Sequence, residues 1–384
     1  MIPTIILLAL LAGALVYSGL TVIAALRYLA VRPPELRSAE HVNIEPVSIL
    51  KPLSGLDASL ESNLRTFFEQ DYPSFEILFA VREPHDPAVA VVEKLQRKYS
   101  NVPSRLLITG EPPYPNAKVF SLDRMLHASA HDLVVMSDSD IRVTPTMLRT
   151  IAAEFQDPKL GVATCPYRAV AGRSFWSRLE AIGMNTDFLA GILVARMLEG
   201  MRFAVGPTIA ARRHTLESIG GFDRLKDYLA EDFVMGKFAA EAGHGVTLSS
   251  YVIEHHIGTS SDFRHNAAHR LRWTRSTRRS RPAGYLGQLF TMPVPLALLV
   301  TAWNPSWWPV LPVTLAIRGV AAWSVSELVL RARLNWLLLP LEDIAGFCFW
   351  IAGFFGNTIV WRGRRYRLES DGRFSVLPTS SSAP

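Results

Sequence analysis

The stretch Leu133-Val134-Val135-Met136-Ser137-Asp138-Ser139-Asp140 decides the fold. A short apolar run passes without a break into a polar turn that carries two carboxylates. Such a run, bounded by turn-forming residues, reads as a buried strand. Working outward, the run Asp132–Met136 has counterparts at Val47–Leu50, Phe75–Val81, Arg105–Ile108 and Gly161–Cys165. Helical patterns lie between them, at Leu60–Glu69, Ala88–Lys98 and Pro145–Phe155. Strands alternating with helices predict an α/β domain with a mostly parallel sheet covered on both faces. Sheets of this kind bind ligands outside the carboxyl ends of their strands, so polar residues that directly follow a strand are the first candidates for function.

Four constellations meet that criterion or lie near it. Asp138 and Asp140, at i and i+2, are hard oxygen donors suited to Mg²⁺ or Mn²⁺, which in turn neutralises phosphate oxygens. The same residues also suit a strand-ending turn. In Val81-Arg82-Glu83-Pro84-His85-Asp86-Pro87, Asp86 can accept hydrogen bonds from a nucleotide base or ribose, or it can close a proline-bounded turn. Ala230-Glu231-Asp232-Phe233 opens a helix running to Gly243. Acids in a first turn suit the helix dipole, and a positioned carboxylate there can also take a proton from an attacking hydroxyl. In His269-Arg270-Leu271-Arg272-Trp273 the arginine fork matches a diphosphate and the tryptophan offers a flat apolar face. A basic, aromatic helix at a membrane surface has the same composition.

Of the 384 residues 49% are hydrophobic and the formal charge is +6. Residues 1–26 carry no charge, and Ile5–Leu26 is long enough to cross about 30 Å of hydrocarbon. Arg27, Arg32 and Arg37 follow it, which predicts an anchor with the next domain in the cytoplasm. Residues 282–317 are uncharged and proline-broken, predicting spans at 285–303 and 307–325, with Arg318 inside the second facing the bundle or snorkelling. Ile344–Trp361 reads as a further span; either the short run Leu334–Leu341 helps form a fourth crossing, or one segment is re-entrant. Seven arginines between Arg264 and Arg281, and the cluster Arg362, Arg364, Arg365 and Arg367, read as juxtamembrane topology signals. No nucleic-acid motif accompanies them, which argues against that partner. Two cysteines, Cys165 and Cys348, are too few for a disulfide framework and suit a reducing compartment. The resulting plan is an anchor at 1–34, a cytoplasmic domain at 35–282, membrane helices at 283–361 and a basic tail at 362–384.

Taken in order, the motifs resemble the ceramide glucosyltransferase family. The resemblance starts at Leu50-Lys51-Pro52-Leu53-Ser54-Gly55-Leu56-Asp57 and Thr66-Phe67-Phe68-Glu69-Gln70-Asp71-Tyr72-Pro73. It continues through His85-Asp86-Pro87-Ala88, Asn116-Ala117-Lys118, Asp138-Ser139-Asp140-Ile141-Arg142-Val143 and Ala230-Glu231-Asp232-Phe233. It ends at Trp361-Arg362-Gly363-Arg364-Arg365-Tyr366-Arg367-Leu368. The resemblance implies a GT-A-type nucleotide-sugar transferase domain flanked by transmembrane helices, in a multi-pass protein of a bacterial inner membrane. It implies an inverting hexosyltransferase that uses a UDP-sugar (N-acetylglucosamine or glucose) and a membrane lipid as acceptor. Asp232 is then the catalytic base. Asp86, Lys118, Asp138, Arg272 and Trp273 hold the nucleotide sugar, and Asp138 with Asp140 holds a divalent cation, Mg²⁺ or Mn²⁺. The family's Gln/Arg-x-x-Arg-Trp motif is matched by Arg272 and Trp273, whereas His269 departs from it. The Asp-x-Asp pair and His269 look more like a bacterial branch that glycosylates a hopanoid, bacteriohopanetetrol, than one that glycosylates ceramide. A polysaccharide synthase and a non-catalytic nucleotide-sugar-binding membrane protein are the rival readings.

Overall fold

The computed structural model describes residues 2–31, 45–57, 59–258, 262–361 and 364–377. Arg32, Arg37, Arg362 and Gly363 lie outside the described residues. The chain forms two compact units that interleave along the sequence. One comprises Met1–Val31, Arg168–Gly200 and Thr259–Pro384, the other Arg32–Tyr167 and Met201–Gly258.

The second unit is the α/β body. Its strands, with one shared across the boundary, are β1 (Val47–Pro52), β2 (Phe75–Val81), β3 (Ser104–Ile108), β4 (Leu133–Ser137), β5 (Ile141–Arg142), β6 (Leu160–Thr164), β7 (Tyr167–Val170), β8 (Thr208–Arg212), β9 (Gly245–Leu248) and β10 (Ile253–His256). Seven form one sheet in the order β3-β2-β1-β4-β8-β6-β9. The pairs β1–β2, β1–β4, β2–β3 and β6–β9 are parallel, and β8 runs antiparallel to both β4 and β6. β5 pairs antiparallel with β10, setting Ile141 opposite His255. The central strands β1, β2 and β4 are buried along nearly their whole length, as strands covered on both faces must be. Leu50, Leu78, Val134 and Val162 meet Val119, Leu122 and Met235 from flanking helices in one buried cluster. Each such large side chain, once buried, contributes about 1.5–3 kcal/mol.

The five predicted strands and three predicted helices are all present, each within two residues of its predicted ends. β8 was not predicted. Thr208-Ile209-Ala210-Ala211-Arg212 has only two β-favouring residues, and its small alanines give a weak strand signal.

The first unit is built from helices. Ile2–Ala30 is one continuous helix. Phe175–Gly183 runs through a π-helical turn, Met184–Phe188, into Leu189–Glu199. Further helices span Phe263–Ser280, Pro282–Gly287, Pro293–Trp303, Val310–Trp323 and Leu339–Gly353. An antiparallel sheet closes the unit, formed by β11 (Thr358–Trp361), β12 (Arg364–Leu368) and β13 (Phe374–Val376).

Among the described residues two helical segments are long and apolar enough to cross a membrane alone, Pro3–Ala30 and Phe175–Glu199. Pro282–Thr291 and Pro293–Trp303 make a third only if taken as one span bent by 64°. The bend falls at Met292–Pro293, where proline cannot donate to the preceding turn. Phe175–Glu199 was read as part of the soluble body because Arg178, Glu180, Asp187 and Arg196 interrupt it. Two of these carboxylates have hydrogen-bond partners inside the unit: Glu180 pairs with Asn266 and His269, and Asp187 with Arg318.

Ile344–Trp361 is not a single helix. The helix ends at Gly353, Gly356 turns at φ 79°, and Thr358–Trp361 is a strand. The segment from Arg364 on, read as a basic tail, supplies β12 and β13. Arg318 faces inward, as one of the two expected alternatives has it, and is only 4% exposed. Several arginines read as topology signals have structural partners. Arg275 donates to the carbonyls of Phe355 and Thr358, Arg278 donates to those of Phe354 and Gly356, and Arg270 grips Glu342. The first two satisfy carbonyls of the turn that links the helix Leu339–Gly353 to β11.

Candidate functional site

The site is built at the carboxyl ends of the strands in the α/β unit. β1 ends in Lys51-Pro52, β2 leads to the Asp86 loop, and β4 ends at Ser137 with Asp138 next. The turn after β4 is held from beneath. Lys51 is fully buried, and its ammonium donates to the carbonyl of Asp138 and to Ser137 Oγ at 3.3 Å while lying 3.8 Å over the Phe67 ring. Burial pushes the Lys51 ammonium down to about 7, against the pull of Asp138 and Asp140. From the other side Asp138 donates its backbone N–H to the Pro207 carbonyl at 2.9 Å.

Lys118 joins the two acidic motifs. It sits in the first turn of the helix Ala117–Ala128, whose N-cap Asn116 accepts from the Val119 N–H. Its ammonium, on a side chain 18% exposed, lies 2.8 Å from Asp138 Oδ1 and 3.0 Å from Glu231 Oε1. Asn116 also donates to the Tyr228 carbonyl at 2.8 Å, tying that helix start to the segment before Glu231. Burial alone lowers a lysine, but the carboxylates of Asp138, Glu231 and Asp232 outweigh it and hold Lys118 well above its usual range. Burial raises the Asp138 carboxyl; Lys118 opposes the shift, while Asp140 and Glu231 add to it.

Asp232 follows Glu231 in the first turn of the helix Glu231–Glu241. Burial and then the charge of Glu231 raise its carboxyl to about 6, with Lys118 opposing and Asp138 assisting. Two glycines fix the surroundings of this helix. A Cβ on Gly236 would lie 2.1 Å from the Ala204 backbone nitrogen, so only glycine lets the helix pack that closely. A Cβ on Gly206 would lie 3.0 Å from Asp232 Oδ2.

Asp140 takes a different environment from Asp138. Burial acts to raise it, but His255, whose Nε2 is 3.0 Å from Oδ2, together with Lys51 brings it to about 2. Its other oxygen, Oδ1, is buried without a hydrogen-bond partner. An ionised carboxylate with an unfilled oxygen, next to a second carboxylate, fits a hard divalent cation. Among the described residues no group of three or more His, Cys, Asp or Glu has the arrangement of a metal cage. The donor set therefore fits Mg²⁺ or Mn²⁺ completed by substrate oxygens and water, rather than a cation held by protein alone.

Asp86 is engaged locally. Its carboxylate accepts from the Gly55 N–H at 3.1 and 3.0 Å and from the Ala88 N–H at 2.9 Å, which locks the loop after β1 to the loop after β2. Arg272 and Trp273 belong to the helical unit. The Arg272 guanidinium lies 6.0 Å from the Trp361 ring centroid, and the Trp273 ring is 5.1 Å from His269 and 6.1 Å from Phe188. His269 itself lies 2.6 Å from Glu180. Sequence reasoning assigned no role to Lys51, Asn116, Glu231, His255 or Gly206. Lys51, Asn116 and Glu231 stand inside quoted motifs. His255 gives no signal before β10 is known to pair with β5.

The α/β unit, with acids gathered at its strand ends, has the GT-A-type fold of nucleotide-sugar transferases. The chain is similar in fold to the solved mannosyltransferase PcManGT from Pyrobaculum calidifontis, in complex with GDP-Man and Mn²⁺. That likeness has a TM-score of 0.54 and 19% identity, and covers 91% of this chain and 97% of the other. Among curated proteins, ceramide glucosyltransferase 1 of Caenorhabditis elegans is 30% identical over 219 residues, 55% of this chain and 47% of that one. The ceramide glucosyltransferase of Komagataella phaffii is 35% identical over 135 residues, 34% and 26% of the two chains. The chain thus matches about half or less of the length of these relatives. The profile of glycosyl transferase family 21 matches residues 6–374, and the chain belongs to that family.

Proposed function

We propose that the chain is a membrane-bound inverting glycosyltransferase that moves a hexose from a UDP-sugar to a lipid hydroxyl. One observation carries the reading: a single ammonium, that of Lys118, joins Asp138 of the Asp-x-Asp turn to Glu231, the neighbour of Asp232. Acids 93 residues apart in sequence therefore belong to one charged cluster. Asp232, raised to about 6, is ionised at neutral pH yet basic enough to accept a proton. It takes the proton of the acceptor hydroxyl while that oxygen bonds to the anomeric carbon. The bond from that carbon to the UDP oxygen breaks on the opposite face, so one displacement inverts the centre. Asp138 and Asp140 would hold a divalent cation, which when bound would supply charge neutralisation for the diphosphate. Lys118 adds a fixed positive charge beside it. The roles of Asp86, Arg272 and Trp273 in holding the nucleotide sugar rest on the family resemblance.

The proposed setting is a multi-pass protein of a bacterial inner membrane, with the α/β unit cytoplasmic. Two acceptors are carried forward. The complete Asp-x-Asp pair and His269 favour a hopanoid polyol, bacteriohopanetetrol. The names of the curated relatives favour ceramide. The deciding experiment incubates the purified protein with UDP-glucose or UDP-N-acetylglucosamine, each against ceramide and bacteriohopanetetrol, and identifies the lipid product by mass spectrometry. A long polymer in place of a glycolipid overturns the reading in favour of a polysaccharide synthase. No UDP release with any pair overturns it in favour of a binding protein.

A further inference from the structure

The helical unit contains a cavity of about 340 Å³. Its walls are almost wholly apolar and include Val294, Leu315, Ala316, Trp323 and Trp336. The volume falls in the range of small-molecule sites, about 300–1,000 Å³. A sugar nucleotide is excluded, because its polar atoms would lose their water without finding partners.

One charged side chain lines the cavity, Arg318. Its Nε donates to Asp343 at 3.1 and 3.0 Å, and its Nη2 donates to Asp343 at 2.8 Å, Asp187 at 2.6 Å and Thr186 at 3.4 Å. The two carboxylates neutralise the guanidinium and fix its plane, and none of these bonds uses Nη1. An ionisable group kept deep in a membrane unit calls for a functional reading. A fixed N–H donor at the wall of an apolar slot matches an amphiphile whose oxygen acceptor sits at the head of an apolar body.

Resting on the proposed function, we infer that this cavity seats part of the apolar body of the lipid acceptor, with Arg318 Nη1 donating to a hydroxyl or carbonyl oxygen at the head of that body. The cavity then sets which lipids are accepted, separately from the acids that perform the transfer. The bulk of the apolar body and the oxygen next to it become the recognised features.

The test uses the full chain in phosphatidylcholine nanodiscs, with diazirine-bearing ceramide and diazirine-bearing hopanoid polyol as probes. Ala316→Trp fills the cavity. Leu299→Trp, at an exposed position that does not line it, is the control. The expected result is a crosslink to the segment 315–340 that excess unlabelled acceptor competes away and excess phosphatidylcholine does not. Ala316→Trp abolishes that crosslink and raises the acceptor KM at least tenfold, whereas Leu299→Trp does neither. Crosslinking competed equally by phosphatidylcholine means that bulk bilayer lipid fills the cavity, and overturns the inference. So does an Ala316→Trp protein whose crosslink matches that of Leu299→Trp. The crosslink needs no turnover. A wild-type protein that transfers sugar to no lipid therefore sinks the proposed function, while the cavity is still decided by the label.

Discussion

Lys118 Nζ stands 2.8 Å from Asp138 Oδ1 and 3.0 Å from Glu231 Oε1, so one cation holds the end of β4 against the helix that carries Asp232. Glu231 is only 6% exposed and has no solvent shell to replace a lost partner. Removing one member of a buried ionic group costs about 3–5 kcal/mol, because the remaining charge is stranded. Asp138 keeps about a third of its side-chain exposure, so the cost here falls toward the lower end. Lys118→Met is expected to lower the thermal midpoint and to reduce kcat at least tenfold. Lys118→Arg is expected to restore the midpoint more fully than kcat, since a planar fork cannot occupy the same point between two carboxylates. Thermal unfolding alongside steady-state UDP release checks both. Equal recovery of midpoint and kcat counts against a role at the reaction centre.

Asp232→Asn removes the proposed base without changing side-chain size. Transfer is expected to fall by about 10²–10⁴-fold, the usual contribution of a positioned base. Binding of UDP, measured by calorimetry, is expected to persist. The wild-type rate carries a second signature. The Asp232 carboxyl is raised to about 6, so the base is ionised above that pH and protonated below it. The profile of kcat/KM against pH is therefore expected to lose activity as pH falls through about 6, with slope one on the acid side. Near wild-type transfer by a folded Asp232→Asn protein that still binds UDP refutes the assignment.

The unfilled Asp140 Oδ1 makes a metal prediction. Chelation with EDTA is expected to abolish transfer, and added Mn²⁺ or Mg²⁺ to restore it. Asp140→Asn keeps the shape but removes the charge that His255 and Lys51 hold ionised. Its Mn²⁺ dissociation constant, read by electron paramagnetic resonance without substrate turnover, is expected to rise at least tenfold. Unchanged Mn²⁺ affinity places the cation elsewhere.

How much of this was legible depended on whether a residue's neighbours in sequence are also its neighbours in space. Asp138 and Asp140 directly follow an apolar strand, and the strand-end rule alone marks them. Glu231 lay beside the proposed base and was read only as part of a helix start, because its partner Lys118 is 113 positions away. His255 was invisible: its significance comes from the pairing of β10 with β5, and two short strands leave no periodicity to detect. β8 failed for the opposite reason, since Ala210 and Ala211 fit a tight antiparallel slot while lacking the branched side chains that announce a strand. The helical unit is harder to read where charge interrupts apolarity. Glu180 and Asp187 break the apolar run Phe175–Glu199 in the sequence, and their partners Asn266, His269 and Arg318 lie far along the chain. The arginines of Phe263–Ser280 suggested topology signals, and three of them bind carbonyls or a carboxylate in their own unit.

Gly206 offers the sharpest test of the geometry around the base, because it leaves every charge in place. A methyl group there would sit 3.0 Å from Asp232 Oδ2, closer than ordinary van der Waals contact, so the carboxylate must yield by a few tenths of an ångström. Gly206 has no positive φ among the described residues, so alanine adds bulk without backbone strain. Misplacement of a reacting group by about 1 Å costs about 10²-fold; a displacement of a few tenths is expected to cost about three- to tenfold in kcat. The KM for the UDP-sugar and the thermal midpoint are expected to stay close to wild type, since neither the Asp-x-Asp turn nor the core cluster is touched. Gly236→Ala is the contrasting case: its Cβ would overlap the Ala204 backbone at 2.1 Å, and the whole fold is expected to lose stability. A Gly206→Ala protein with unaltered kcat would separate Asp232 from the chemistry even though the acids cluster as described.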